Sequence, residues 1–245
     1  MRVPRLFVED TPPEQGPYLL RGNAHRHAVQ VLRLRKGAEV LLFDGSGREF
    51  AGVLREPRRD ETEMEILAVS SVDREAPLRW ELVQGVSRGE RMDYTLQKSV
   101  ELGVAAVHPV ETKRTVVKLD ASRAEKRRSH WQGIVTSAAE QSGRTRLPPV
   151  GEIRSLEDFL SDRSDGLLLI LDPEAENGVG DLPVERPERV FLLAGPEGGF
   201  DESERRSIYR AGASGVRMGP RILRTETAAM VAAALLLERW GDLGK

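Results

Sequence analysis

The stretch FLLAGPEGGFDESE, residues 191–204, constrains the fold of this 245-residue chain more than any other. A short apolar run ends at Ala194. The turn Gly195-Pro196-Glu197-Gly198-Gly199 follows, and then Asp201, three residues ahead of Glu204. The run suits a buried strand, the glycines a sharp bend with no Cβ in the way, and Asp201 with Glu204 a capped helix start. A strand, turn and helix in this order belong to an α/β sheet, where ligands gather at the carboxyl ends of the strands. A second such turn, Met218-Gly219-Pro220-Arg221-Ile222-Leu223-Arg224-Thr225-Glu226-Thr227, closes an expected strand over Ser214–Met218 and opens a long apolar helix. One glycine turn alone is a common tight turn. Two in one domain predict the two walls of a pocket. Apolar Ile222 and Leu223 with backbone polar groups suit a flat, neutral base, while the arginines suit a polyanion. Glu226 also fits the plainer role of an acid in the first turn of a helix. GPEGG lacks the Lys-Ser/Thr ending of a phosphate-binding loop and is not GxGxxG.

Residues 1–72 read mostly as strands. AEVLLF (38–43) and REFAGVLRE (48–56) flank Asp44-Gly45-Ser46-Gly47 as a hairpin, and EMEILAVSS (63–71) alternates as a third strand. Asn23 to Lys36 is the one helical candidate here, with Asn23 as N-cap and Gly37 as stop. VDREAPLRW (72–80) reads as a linker. Beyond it, strands and helices alternate: WELVQGV, a helix over Glu90–Leu102, VAAVHPV (104–110), and a helix opened by a Ser122/Glu125 capping box. Trp131, Ile134, Val135, Ala138 and Ala139 mark the inner face of that helix. GLLLIL (166–171) and RVFLLA (189–194) suit buried parallel strands. The last helix, Thr225–Trp240, is apolar nearly all round and needs cover on more than one side. The domains expected are 1–72, β-rich and barrel-like, and 73–245, α/β.

Charge narrows the partners. The net charge of −2 divides as 0 over 1–72, +4 over 73–149 and −6 over 150–245. Of 37 basic residues 6 are Lys, leaving 31 Arg. Arginine forks onto phosphate and stacks on bases, which suits RNA, although a compositional bias of the genome gives the same excess. No cysteine is present, which excludes disulfides and thiolate zinc sites. The four histidines (25, 27, 108, 130) have no metal-ligand spacing, so no metal is assigned. No signal peptide or membrane span is read, and a cytosolic location is expected.

KSVELGV (98–104), AAEQSGR (138–144), LAGPEGGF (193–200) and MGPRILRTETA (218–228) resemble the RsmE family, as do MRVPRLF, His27 with VQVLRLRKG, and LFDGSG (42–47). Members of that family are SPOUT-class methyltransferases that act on N3 of a uridine in 16S ribosomal RNA with S-adenosylmethionine. The resemblance implies an α/β-knot domain (a trefoil-knotted parallel sheet) behind an N-terminal PUA-like RNA-binding domain, and a homodimer. It implies that the cofactor is held by Leu171, Asp172 and Pro173; by Ala194, Gly195, Pro196, Glu197, Gly198 and Gly199; and by Met218, Gly219, Pro220, Ile222, Leu223 and Thr227. Glu226 or Glu140 is expected to take the N3 proton, and Arg221 or Arg144 to steady the resulting charge. Arg2, Arg5, His27 and Arg33 are expected to touch RNA. Two alternatives stay open: a SPOUT ribose 2′-O-methyltransferase, and a non-catalytic RNA-binding or ribosome-assembly protein.

Overall fold

The computed structural model describes residues 3–115 and 120–244. They divide into two compact units: the chain up to Glu75 together with Thr136–Leu147, and Ala76–Val135 together with the chain from Pro148.

The first unit holds strands β1 (Arg5–Phe7), β2 (Gly16–Arg21), β3 (Glu39–Phe43), β4 (Arg48–Pro57) and β5 (Glu61–Ser71). They form one sheet in the order β1-β3-β4-β5-β2, with β1 parallel to β3 and every other pair antiparallel. The expected hairpin is β3–β4. Alternation along these strands gathers Leu6, Leu20, Leu42, Phe50, Leu54 and Met64 into one core. The expected helix over Asn23–Lys36 is shorter. Helix α1 (Gly22–Arg26) passes into one π-helical turn, His27–Val31, and the chain then leaves helical geometry. Two forces end it. Val29 and Val31 are poor helix formers, and Leu34, whose N–H bonds the Ala28 carbonyl at 2.9 Å, must turn back onto the core. Arg33 takes up the turn with φ 54°, a conformation L residues seldom adopt.

Arg5 is 8% exposed. Its guanidinium donates to Glu49 Oε1 at 2.7 Å, to the Arg144 carbonyl at 3.0 Å and to the Ala139 carbonyl at 3.2 Å. These bonds tie residues 139–144 to β1 and β4, and they correct the expectation that Arg5 touches RNA. A buried guanidinium whose two terminal nitrogens bond its own chain turns no donor to solvent.

The second unit holds β6 (Arg79–Gly85), α2 (Glu90–Glu101), β7 (Ala106–Glu111), the start of α3 (Ala121–Ser142), β8 (Arg154–Ser155) and α4 (Leu156–Asp162). After these come β9 (Leu167–Leu171), β10 (Arg189–Ala194), α5 (Glu202–Arg210), β11 (Ser214–Val216) and α6 (Thr225–Trp240). The sheet order is β11-β9-β10-β6-β7-β8, and all pairs are parallel. Residues Val190–Ala194 of β10 are all buried, as a strand covered on both faces requires. Leu156, Phe159 and Ile208 of α4 and α5 pack with Val83, Ile170 and Leu193; α6 lies on β9 and β10 and against α2.

Of the two capping boxes expected from the sequence, one forms and one does not. Asp201 accepts the Glu204 N–H at 2.7 Å and Glu204 accepts the Asp201 N–H at 2.8 Å, the box that the sequence announces. The expected Ser122/Glu125 box does not form. Asp120 takes the Arg123 N–H at 2.9 Å, because α3 begins at Ala121, and Glu125 is engaged by Arg128 at 2.8 Å. Among the described residues no helix is long and apolar enough to cross a membrane.

Arg5→Ala would leave the buried Glu49 carboxylate with Arg74, at 2.8 Å, as its remaining cation. Breaking a buried ion pair costs about 3–5 kcal/mol, and the retained Arg74 places this change at the low end. A thermal melt followed by circular dichroism should show the first unit unfolding at clearly lower temperature; an unchanged melt would contradict the role given to Arg5.

Candidate functional site

Parallel strands present their carboxyl ends on one edge, and the loops after β9, β10 and β11 meet there around a cavity of about 520 Å³. The loop after β10 is the glycine turn. Gly199 has φ 68°, in the region that favours glycine, and its N–H closes the turn onto the Pro196 carbonyl at 2.8 Å. The turn lies directly on the end of β6: a Cβ at Gly85 would stand 2.4 Å from Pro196 Cδ.

Its polar groups are already held. Glu197 accepts the Arg88 N–H at 2.9 Å and pairs with Arg91 at 3.2 Å. Burial works against the ionised Glu197, but these bonds outweigh it and hold its pKa below the ordinary value. Arg114 donates to the Gly198 carbonyl at 2.6 Å.

The loop after β9 is fixed by Asp172, 3% exposed. One carboxylate oxygen accepts from the Tyr209 hydroxyl at 2.8 Å and is ion-paired with Arg205 at 3.3 Å; the other accepts the Glu174 N–H at 3.0 Å. Burial, with the hydrogen bond to Asp172, pushes the Tyr209 phenol up to about 12, so it stays a donor. Asp172 is thereby a brace for the loop, its oxygens already spent within the protein.

The third wall is Val216 to Leu223 with the first turn of α6. Glu226 is half-buried there, and its Oε2 is shielded from solvent with no hydrogen-bond partner. Buried oxygens are rarely left so. An unpaired acceptor at a cavity wall can receive a proton-bearing group from a ligand.

Of the residues expected to hold a ligand, Leu171, Asp172, Pro173, Ala194, Gly195, Pro196, Glu197, Gly198, Gly199, Met218, Gly219, Ile222 and Leu223 line the cavity, together with Arg221 and Glu226. Pro220 and Thr227 do not. Neither do Glu140 and Arg144. Glu140 accepts the Phe7 N–H at 3.0 Å and pairs with His27 at 3.1 Å, and burial pushes its carboxyl above the ordinary range against those partners. Arg144 is ion-paired with Glu75. His27 is therefore engaged with Glu140, whereas Arg33 is exposed; Arg2 lies outside the described residues. Sequence reasoning missed Arg91, Arg114, Arg205 and Arg217 on the lining, and Gln84 behind it. Only Gln84 carried a signal, an amide within a buried strand.

Comparison with known proteins bears on this site. Residues 74–237 match the family described as RNA methyltransferase domain, and residues 20–66 match the RNA methyltransferase PUA domain. The ribosomal RNA small subunit methyltransferase E of Mycobacterium bovis is 32% identical over 249 residues, 97% of this chain and 94% of the relative. The crystal structure of the Neisseria gonorrhoeae protein of the same name, bound to S-adenosyl methionine, is 38% identical and covers 99% of this chain and 100% of its own, with a TM-score of 0.91. A Legionella pneumophila structure with bound SAM is 36% identical, with a TM-score of 0.95 and coverage of 99% and 100%.

Gly85→Ala should push Pro196 and its turn off β6, since its Cβ would also stand 2.6 Å from Pro196 N. Overpacking of this kind costs about 1–3 kcal/mol, read as a lower urea midpoint for the second unit. A midpoint equal to the parent's would deny the close contact.

Proposed function

This chain belongs to the RNA methyltransferase domain family, among the ribosomal RNA small subunit methyltransferase E proteins, and from that premise we propose that it methylates N3 of a uridine in 16S ribosomal RNA. The observation that carries the reading is the cavity itself: glycine-rich and apolar walls, with one buried, unpaired carboxylate oxygen, on Glu226. A cavity of this volume and lining suits a drug-sized ligand with a flat ring, and two relatives bind SAM. The residues present fit S-adenosylmethionine, held by backbone groups of the three loops. When bound, it supplies a methyl group on a sulfonium leaving group.

This chain's own residues deal with the proton and the charge. Uridine N3 must lose its proton before its lone pair can attack carbon. Glu226 Oε2 accepts that proton, and Arg221 stabilises the charge left on the O2 and O4 carbonyls. Arg221 is exposed at the cavity and has no ion pair among the described residues. The alternatives Glu140 and Arg144 are disfavoured by their partners. Holding the base against the methyl donor, so that the attacking nitrogen faces the methyl carbon, would supply much of the remaining rate.

Residues 1–72 serve as the RNA-gripping domain and 73–245 as the methyl-transferring one, with the exposed Arg33 meeting phosphate. The active form is a homodimer in the cytoplasm; Val231 and Leu235, 37% and 43% exposed on the apolar helix α6, support self-association.

Nucleosides from the 16S RNA of a strain lacking the gene should be short of 3-methyluridine by mass spectrometry, and the intact gene should restore it. Glu226→Gln should not, with kcat lowered about 10²–10⁴-fold while cofactor and RNA binding persist. Loss of a ribose 2′-O-methyl mark instead would favour the 2′-O-methyltransferase reading. No change in any methylated nucleoside would favour a binding protein.

A further inference from the structure

Gln84 is fully buried on β6, a central strand, next to Leu82 and Val83. Its Nε2 lies 3.0 Å from the Gly85 carbonyl, 3.1 Å from that of Gly195, 3.4 Å from that of Ala194, and 3.2 Å from Thr225 Oγ1. Two N–H bonds thus face four acceptors. Thr225 donates its only hydroxyl proton to the Gly195 carbonyl at 2.5 Å, which leaves its oxygen free to accept from Gln84. The network also sets the orientation of the amide: turned over, its oxygen would face three carbonyl oxygens.

The other end of the amide is the informative one. Gln84 Oε1 is buried with no hydrogen-bond partner. An orphan acceptor in a parallel sheet is a cost to folding, and an apolar side chain of the same length would not incur it. The strand keeps the amide all the same. What the amide does is join the glycine turn after β10 to the first turn of α6, the two segments that carry most of the cavity wall. The Gly195 carbonyl, held by two donors, is turned inward, and this fixes how the rest of the turn faces the cavity.

We infer that Gln84 is a positioning residue, which sets the Gly195–Gly199 turn and the Glu226-bearing start of α6 as one piece. It touches no ligand, since it does not line the cavity. The link to cofactor affinity rests on the methyl-transfer reading above; the link between the two segments does not.

The test uses the full chain and Gln84→Met, which keeps the length and removes the amide. Amide hydrogen exchange without ligand is expected to quicken about tenfold in 195–199 and 225–228, the scale of one lost buried hydrogen bond, with β7 unchanged. Calorimetric titration with S-adenosylmethionine is expected to show a Kd raised about tenfold, with one site per chain retained. Thr225→Val should reproduce both effects and Thr225→Ser should abolish them, because serine keeps the hydroxyl. Should Gln84→Met fail to fold, the two Thr225 variants decide. The inference is overturned if exchange in both segments and the Kd match the parent. It is equally overturned if exchange rises throughout the sheet while stoichiometry falls at the parent's Kd, the mark of a general loss of fold. A parent chain that binds no S-adenosylmethionine would sink the cofactor reading, and the exchange data would still judge Gln84.

Discussion

The closeness of the Gly195–Gly199 turn to the end of β6 governs the second unit's working edge. Pro196 sits where a Cβ on Gly85 would be, so the two backbones touch with no side chain between them. Parallel register brings this about: Ala194 pairs with Gln84, so β10 and β6 run out together, and whatever follows β10 must cross the tip of β6. Gly195 has the same limit on its other side, where a Cβ would meet the Gly199 backbone at 3.0 Å. The turn is thin because it is squeezed from both sides. The wall that this turn forms, Gly195–Gly199, is therefore poor in side chains and offers backbone groups to the edge of a flat heterocycle.

Around that wall, charge is divided between bracing and availability. Asp172 and Glu197 bond Tyr209, Arg205, Arg88 and Arg91, which fixes the loops through the protein's own groups. Such pre-ordering means that less conformational freedom remains to be lost on binding. Arg205, through Asp172 at 3.3 Å and Glu174 at 2.7 Å, ties α5 to the loop after β9. Arg114 and Arg91 grip the glycine turn from outside it.

The sequence made the strand–turn–helix around residue 195 legible because its signals are local: an apolar run, glycines where a backbone must bend, and an acid pair spaced for a helix start. The second turn was legible for the same reasons, and so was α6. What stayed hidden depends on distance. Arg5 carries the chemistry of an RNA contact and the position of a buried strut, and only the fold reveals that Glu49 lies 2.7 Å away. Gln84 is an odd amide in a buried strand, but three of its four partners lie 110 to 141 residues onward. The shift of the helix start from Ser122 follows from two capping residues close together, Asp120 and Ser122, of which Asp120 takes the Arg123 N–H. The helix at Asn23 failed for a tertiary reason, the pull of Leu34 onto the core.

The same division explains why two glutamates of similar promise in the sequence part company. A general base must hold an oxygen open before its substrate arrives. Glu140 does not: a backbone N–H and His27 take one oxygen each, and Arg5 bonds its carbonyl at 3.5 Å. Its raised pKa reflects burial, and proton transfer would require those partners to let go. Glu226 stands in the first turn of α6, and its buried Oε2 has no hydrogen-bond partner. Folding alone gives no reason to leave it so, since an unmet acceptor lowers stability wherever it is buried. A carboxylate oxygen left unpaired and set in a cavity wall has the geometry that the proposed proton transfer from a bound base requires.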